Sequence, residues 1–121
     1  MDKIFLNTRD EVTMLDVEKI MYFEADGNYT RFRYDNGKEM MVSFGISQME
    51  KILASAMGLM KEKPFCRLGR SLIINQRYLM HLSTLNQKIL LMGESGYTHQ
   101  LTVPKATLKA YKELLTKNMN K

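Results

Sequence analysis

Two arginines in a short segment that leads into an apolar run are the residues best suited to bind a ligand. The segment, residues 64–75, reads PFCRLGRSLIIN and holds Arg67 and Arg70 around Gly69. An arginine offers a planar fork of donors that matches phosphate oxygens or the edge of a guanine base. Ion pairing of both arginines with the acidic half of the chain is an equally good interpretation of this pattern taken alone.

Charge is divided unevenly between the two halves of this 121-residue chain. Residues 1–60 carry 7 Lys/Arg and 10 Asp/Glu, a net charge of −3, whereas residues 61–121 carry 11 Lys/Arg and 3 Asp/Glu, a net charge of +8. Such a chain can present a basic face to a polyanion. A solvated lysine surface would give the same count, because several of the lysines are near the C-terminus.

Residues for catalysis or metal binding are scattered. His81 and His99 are far apart in sequence, Cys66 has no cysteine partner, and no phosphate-binding glycine motif occurs. Cys66 lies beside Arg67, a setting that can lower the pKa of a thiol, but a buried thiol and a structural Ser71 are the simpler interpretation. We therefore expect no enzyme activity, no metal and no cofactor.

Short strands separated by turn signals account for most of the chain. Residues 29–34 alternate, so that Thr30, Phe32 and Tyr34 share one face of a strand and Arg31 and Arg33 the other. The following Asn-Gly pair at 36–37 predicts a hairpin with a primed turn.

Two helices interrupt the strands. Apolar residues over 46–57 recur with a helical period, and Pro104 suits the first turn of a second helix. The sequence thus predicts a mainly β fold of about ten short, mostly antiparallel strands with two short helices. We expect residues 1–121 to form one domain with a frayed tail at 118–121.

The compartment follows from what the sequence lacks. The N-terminus has no apolar core of a secretory signal, and no run reaches the ~18 apolar residues that a membrane-spanning helix needs. One cysteine allows no disulfide within the chain. These features predict a cytoplasmic protein with no membrane partner.

Four segments, taken in order, resemble the LytTR-type DNA-binding domains. The family's F-x-R-x-H-R-S-x-x-V-N block is similar to residues 65–75, and its I-x-Y-I-E-A-x-G-N-Y strand pair is similar to DVEKIMYFEADGNYTRFRYDNGKEM. The family's short central helix resembles SFGISQMEKIL, and its closing V-S-R segment resembles LTVPKATLKAYKELL. The resemblance covers residues 12–115, which is nearly the whole chain.

The resemblance implies a bacterial transcription regulator of elongated, mostly β, LytTR-like fold, whose loops enter successive major grooves of double-stranded DNA. Such domains are usually the output half of a two-component response regulator. Only about 11 residues precede the match, so we expect a free-standing member without a receiver domain. The family leads us to expect a homodimer on paired half-sites, and no small-molecule substrate.

The resemblance also places the DNA-contacting residues in three loops. These loops fall on residues 28–31, 69–71 and 103–105. We expect Arg70 to be the leading contact to a base or phosphate, and the next contacts to be Thr30, Arg31 and Lys105. Supporting contacts to phosphates, or framing of the loops, are expected from Asn28, Gly69, Arg67 and Arg77. Ser71 and Asn75 are expected to organise the second loop by hydrogen bonds to its backbone.

This sequence departs from the family pattern at two of the loops. Gly69 stands where the family has histidine, and Pro104-Lys105 stands where it has Ser-Arg. Lysine keeps the positive charge but loses the bidentate fork. Glycine loses an imidazole contact but lets the backbone approach a phosphate.

Two other functions stay open on these grounds. The departures fit a small β-rich protein-interaction or sensing module that has lost DNA binding, which predicts an exposed apolar patch. A single-strand or RNA binder would need exposed aromatic rings for base stacking, and the candidate rings are Tyr22, Tyr29 and Tyr97.

Overall fold

The computed structural model describes residues 3–58 and 63–119, which form ten strands and two helices. The strands are β1 (Lys3–Asn7), β2 (Val12–Asp16), β3 (Ile20–Asp26), β4 (Tyr29–Tyr34), β5 (Glu39–Val42), β6 (Phe65–Leu68), β7 (Leu72–Asn75), β8 (Leu79–Ser83), β9 (Lys88–Met92) and β10 (Thr98–Thr102). The helices are α1 (Ile46–Ala56) and α2 (Lys105–Met119). The predicted mainly β class is confirmed.

The strands form three antiparallel sheets. The largest has the order β5-β4-β3-β7-β6, a second has the order β10-β9-β8, and β1 pairs with β2 in a two-stranded ribbon. The central pairing sets β3 against β7, with Phe23 opposite Ile73. This pairing joins segments about fifty residues apart, so the fold depends on long-range contacts.

Both faces of the five-stranded sheet are buried at its central strands, β3 and β7. On one face α1 and the ribbon pack against Phe23, Phe32 and Ile73. On the other face the three-stranded sheet and α2 pack against Tyr22 and Ile74. Side chains that alternate along β3 and β7 therefore enter two different cores, as the period of two requires.

Two details differ from the sequence prediction. The 35–38 hairpin lacks a primed turn, because Gly37 has a positive φ of 93° and Asn36 does not. The wider loop leaves the backbone N–H of Asp35 free to donate to Lys19 O at 2.8 Å. In addition, α2 continues to Met119, two residues into the predicted frayed tail, and the last two residues lie outside the described part of the chain.

A close backbone approach joins the large sheet to the three-stranded sheet. Gly93, after β9, lies so near the 35–38 turn that a Cβ there would overlap the carbonyl oxygen of Asp35. The same carbonyl accepts a hydrogen bond from Ser95 Oγ at 3.1 Å. Nearby, the ring of Tyr97 covers Gly37 at a distance that leaves no room for a side chain. Glycine is therefore required at position 93 for space between two backbones.

A hydrogen-bonded stack of rings joins the same two sheets. Tyr22 and His99 stack with ring centroids 5.0 Å apart, and the Tyr22 hydroxyl is 3.0 Å from His99 Nε2. Arg33 Nε donates to the Tyr22 oxygen at 2.9 Å, so we assign the Tyr22 proton to the bond with His99. His99 Nδ1–H then donates to the Tyr97 hydroxyl at 3.2 Å. This arrangement holds a neutral imidazole.

None of the helices in the described ranges is long and apolar enough to cross a membrane.

Replacing Gly93 with alanine tests the close approach. We expect Gly93→Ala to lower the free energy of unfolding by about 1–3 kcal/mol, because the new methyl group must push the two sheets apart. Gly45→Ala is the control for space, since a Cβ there meets no atom within 4 Å, and it should show only the smaller cost of alanine at the N-cap of α1. Urea denaturation measures both variants, and equal midpoints would contradict the contact.

The His99 stack predicts a pH dependence of stability. Burial, and then the charge of Arg33, lowers the pKa of His99 below its ordinary value of 6.5. The unfolded chain therefore binds this proton more readily than the folded chain. The stability is fully present above pH 6.5 and is lost as the pH falls from there through the lowered pKa. Urea denaturation between pH 7.5 and 5 should give a shallower dependence for His99→Gln, and parallel curves would contradict the assignment.

Candidate nucleic-acid interface

The first loop expected from the resemblance, 28–31, is a turn only at Asn28, because residues 29–31 belong to β4. Three segments lie at one end of the molecule, namely the turns 27–28 and 69–71 and the connection 103–105. We call them the turn cluster. The first two are joined by a backbone hydrogen bond of 2.8 Å from Ala25 N–H to Ser71 O. The third follows β10 and begins α2, whose Thr107 lies beside Gly69. A main-chain hydrogen bond thus sets the spacing of the first two turns, and a side-chain contact of Thr107 sets α2 against the second.

A cleft of about 430 Å³ separates the second turn from the third. Its lining mixes apolar strand ends with polar turn residues: Glu24, Leu68, Gly69, Arg70, Ser71, Leu72, Thr102, Val103, Pro104 and Thr107. The cleft is open to solvent along the turn cluster, so a ligand at this end would contact both turns at once.

Arg70 is the exposed cation of the second turn. In the described ranges its guanidinium makes no hydrogen bond or ion pair, while its backbone carbonyl accepts a bond from Arg67. An unpaired guanidinium loses no internal partner when it binds an anion. Its guanidinium therefore has the donors that a phosphate or a base edge would need, and the contact itself stays a prediction.

Arg67 holds the second turn in shape. Its guanidinium donates to Gly69 O at 2.9 Å and to Arg70 O at 2.7 Å, and it pairs with Glu50 of α1 at 2.7 Å. This side chain frames the turn, which is one of the two roles that the sequence allowed. Gly69 has a φ of 72°, so the backbone of the turn explains glycine where the family has histidine.

Arg31 already has three acidic partners. It lies 2.8 Å from Asp26, 3.1 Å from Glu24 and 3.4 Å from Glu39. The hydrogen bond with Glu24, outweighing partial desolvation, raises the pKa of the Arg31 guanidinium above its usual value. Arg33 also pairs with Glu39, so the two arginines share that carboxylate. Arg31 neutralises the acidic end of β3.

The prediction that Thr30 is an exposed contact is wrong. Its side chain is 0% exposed, and its Oγ1 donates to the carbonyl of Phe44 at 2.7 Å. Thr30 shares a face of β4 with Phe32, and that face packs beneath α1. A hydroxyl satisfied inside the core cannot reach a ligand, so Thr30 has a structural role.

Arg77 lies at the opposite end of the molecule from the turn cluster, so the predicted supporting contact to DNA is wrong. It follows β7, whereas the turn cluster precedes β7, and its guanidinium pairs with Glu18 at 3.2 Å. Asn75 is likewise distant from the second turn. It is buried, donates to Ile20 O at 3.0 Å and accepts from the backbone N–H of Arg77. Asn75 is structural as expected, but it organises residues 76–78 instead of the loop.

Asn28 and Lys105 are exposed members of the turn cluster. Asn28 occupies the 27–28 turn, and Lys105 is the first residue of α2. The structure thus brings together Asn28, Gly69, Arg70 and Lys105 at the surface, with Arg31 and Arg67 behind them. Beside them a fourth turn, 84–87, joins the same end, because Val103 N–H donates to Gln87 O at 3.0 Å. This turn was not among the DNA-contacting loops that the sequence predicted.

Base stacking, an activated thiol and a metal site were the other chemistries considered, and few described residues fit them. Tyr22 is buried, and Tyr97 is half-buried in the His99 stack, so Tyr29 alone of the three candidate rings is exposed for base stacking. Burial raises the pKa of the Cys66 thiol, which opposes the activation that Arg67 could have provided. Across residues 3–58 and 63–119, no group of three or more metal-ligating side chains gathers.

Comparisons with known proteins agree with the observed fold. A family model described as the LytTr DNA-binding domain matches residues 10–116. Among solved structures the chain is similar to a LytTr DNA-binding domain from Bacillus cereus, with 20% sequence identity and a TM-score of 0.61, over 95% of this chain and 97% of that one. At that identity the likeness shows the fold alone. The search of the curated proteins gives no match.

The contrast between the two arginines is testable by stability. Arg67→Ala should lower the free energy of unfolding by about 1–3 kcal/mol, because the carbonyls of the turn lose a charged donor. Arg70→Ala should leave it unchanged within about 0.5 kcal/mol, since an exposed side chain without a partner is removed. Urea denaturation compares the two, and equal losses would show that Arg70 also holds the turn.

Proposed function

Since the chain belongs to the LytTr DNA-binding domain family, we propose that it is a sequence-specific regulator of transcription that binds double-stranded DNA through the turn cluster. The turns at 27–28, 69–71 and 103–105 would enter successive major grooves on one side of the duplex. We place this activity in the bacterial cytoplasm, and we infer a homodimer when two half-sites are present.

The single observation that carries the proposal is the position of Arg70. It is an exposed guanidinium with no partner among the described residues, and it lies beside the cleft on a turn that Arg67 stiffens. By contrast, an acidic partner is present for each of Arg31, Arg33, Arg67 and Arg77. Bidentate binding to guanine is the commonest specific contact of an arginine in the major groove.

The other residues of the turn cluster either contact DNA or frame the turns. Lys105, exposed at the start of α2, is suited to a phosphate as a point charge, and Asn28 can donate to and accept from a base or phosphate. Arg67 frames the second turn. Arg31 frames the first by neutralising Glu24 and Asp26, which would otherwise repel the phosphate backbone.

The experiment is selection of bound duplexes from a random pool, followed by measurement of Kd on the enriched duplex at several salt concentrations. Arg70→Ala should weaken binding at least about fivefold, which corresponds to the loss of one contact to a base or phosphate. Arg77→Ala is the matched control, because it removes an exposed arginine at the opposite end and should change Kd less than twofold.

Three results bear on the proposal. An enriched motif with a steep salt dependence and a selective effect of Arg70→Ala supports it. Equal effects of the two arginine variants would remove Arg70 from the contact surface. Weak binding without any enriched motif would overturn the function itself.

A protein-interaction module remains a second candidate because one observation favours it. The outer face of the ribbon exposes Phe5, Val12 and Met14, and Phe5 lies directly opposite Met14 in the β1–β2 pairing. Adjacent exposed apolar side chains of this kind mark contact surfaces. Absence of an enriched DNA motif, together with capture of a protein partner that Phe5→Lys abolishes, would favour this second function.

A further inference from the structure

The 84–87 turn is attached to the turn cluster by its backbone. Val103 N–H donates to Gln87 O at 3.0 Å, and Lys88 Nζ donates to Thr102 Oγ1 at 3.0 Å. Thr102 and Lys88 are also partners in the β9–β10 pairing. Because Lys105 follows two residues after Val103, the tip of the β8–β9 hairpin lies next to the third turn.

The residue at this tip is unusual for a turn. Leu85 is 78% exposed, the highest value among the large hydrophobic side chains described. Turns favour glycine, proline, asparagine, aspartate and serine, so an exposed leucine has no local reason to be there. Leu85 contributes nothing to either core.

The turn that carries Leu85 is stiff. Gln87 N–H donates to Thr84 O at 3.3 Å, and Asn86 N–H donates to Ser83 Oγ at 3.1 Å. Gln87 has a φ of 54°, in the left-handed region, which closes the turn tightly. The backbone therefore presents Leu85 to solvent without a loop rearrangement that would hide it.

Building on the proposed function, we propose that 84–87 is a fourth DNA-contacting turn and that Leu85 packs against the 5-methyl group of a thymine in the major groove. The thymine methyl is the apolar group that base pairs present in that groove. Leu85 would thus read a base by apolar contact, next to cations that bind phosphates. It would specify thymine at a position that Arg70 does not reach.

The test uses the enriched duplex with each thymine replaced in turn by deoxyuridine, which removes one methyl group and keeps the base pairing. Kd is measured for the unmodified protein, Leu85→Ala and the control Met80→Ala. Met80 is a 56% exposed apolar residue of the same hairpin, near the start of β8 and away from the turn. Circular dichroism and sedimentation confirm that all three proteins have the same fold and oligomeric state.

We expect one thymine at which the methyl deletion weakens binding by the unmodified protein about fourfold, the value of one buried methyl group. Leu85→Ala should bind the thymine duplex at least that much more weakly and should no longer respond to the deletion. Met80→Ala should respond as the unmodified protein does.

The outcomes separate this inference from the proposed function. If Leu85→Ala binds as tightly as the unmodified protein, or still responds to the methyl deletion, the fourth turn is overturned while DNA binding stands. If Leu85→Ala changes the oligomeric state, the leucine belongs to a protein contact and the inference also fails. If no duplex is enriched at all, the proposed function fails first.

Discussion

Burial of both faces of β3 and β7 is the constraint on which the rest of the structure depends. With α1 and the ribbon on one side and the three-stranded sheet and α2 on the other, the large sheet has little open surface at its centre. Polar chemistry is therefore displaced to the ends of the strands. At one end, close contacts between Gly93 and Asp35 join the layers; at the other, the turns open to solvent.

The arginines have different roles because they occupy different positions in this layout. Arg33 and Arg31 stand on the half-open face of β4, where Glu39 and Glu24 are within reach, and their charges are used to hold that face together. Arg67 sits on the edge strand β6 and binds the carbonyls of its own turn. Arg70 lies in the turn beyond the β6–β7 strand pair and forms no ion pair within the described residues. Position at a strand end, more than residue type, separates a framing arginine from a binding one.

The sequence was sufficient to predict the fold class, the two helices and most of the strands, because the period of the apolar residues shows which face of each element is buried. The prediction for Thr30 was wrong, because the family pattern argued for exposure although the alternation that puts Phe32 inside puts Thr30 inside too. The partners of Arg31 and the distance of Arg77 from the turn cluster depend on how β3, β7 and α1 pack. Those facts come from long-range pairing, which no local pattern contains. The 84–87 turn was missed for the same reason.

The bonds from Ala25 N–H to Ser71 O and from Val103 N–H to Gln87 O connect neighbouring turns through the main chain alone. Any side chain whose backbone angles suit the turn leaves those two bonds intact, except proline at position 103, which has no N–H to donate. Evolution can therefore exchange the residues at the tips while the frame that spaces them is inherited unchanged. Divergence of the recognised sequence among descendants of this chain would proceed by substitution within turns of constant length, and insertions there would be selected against.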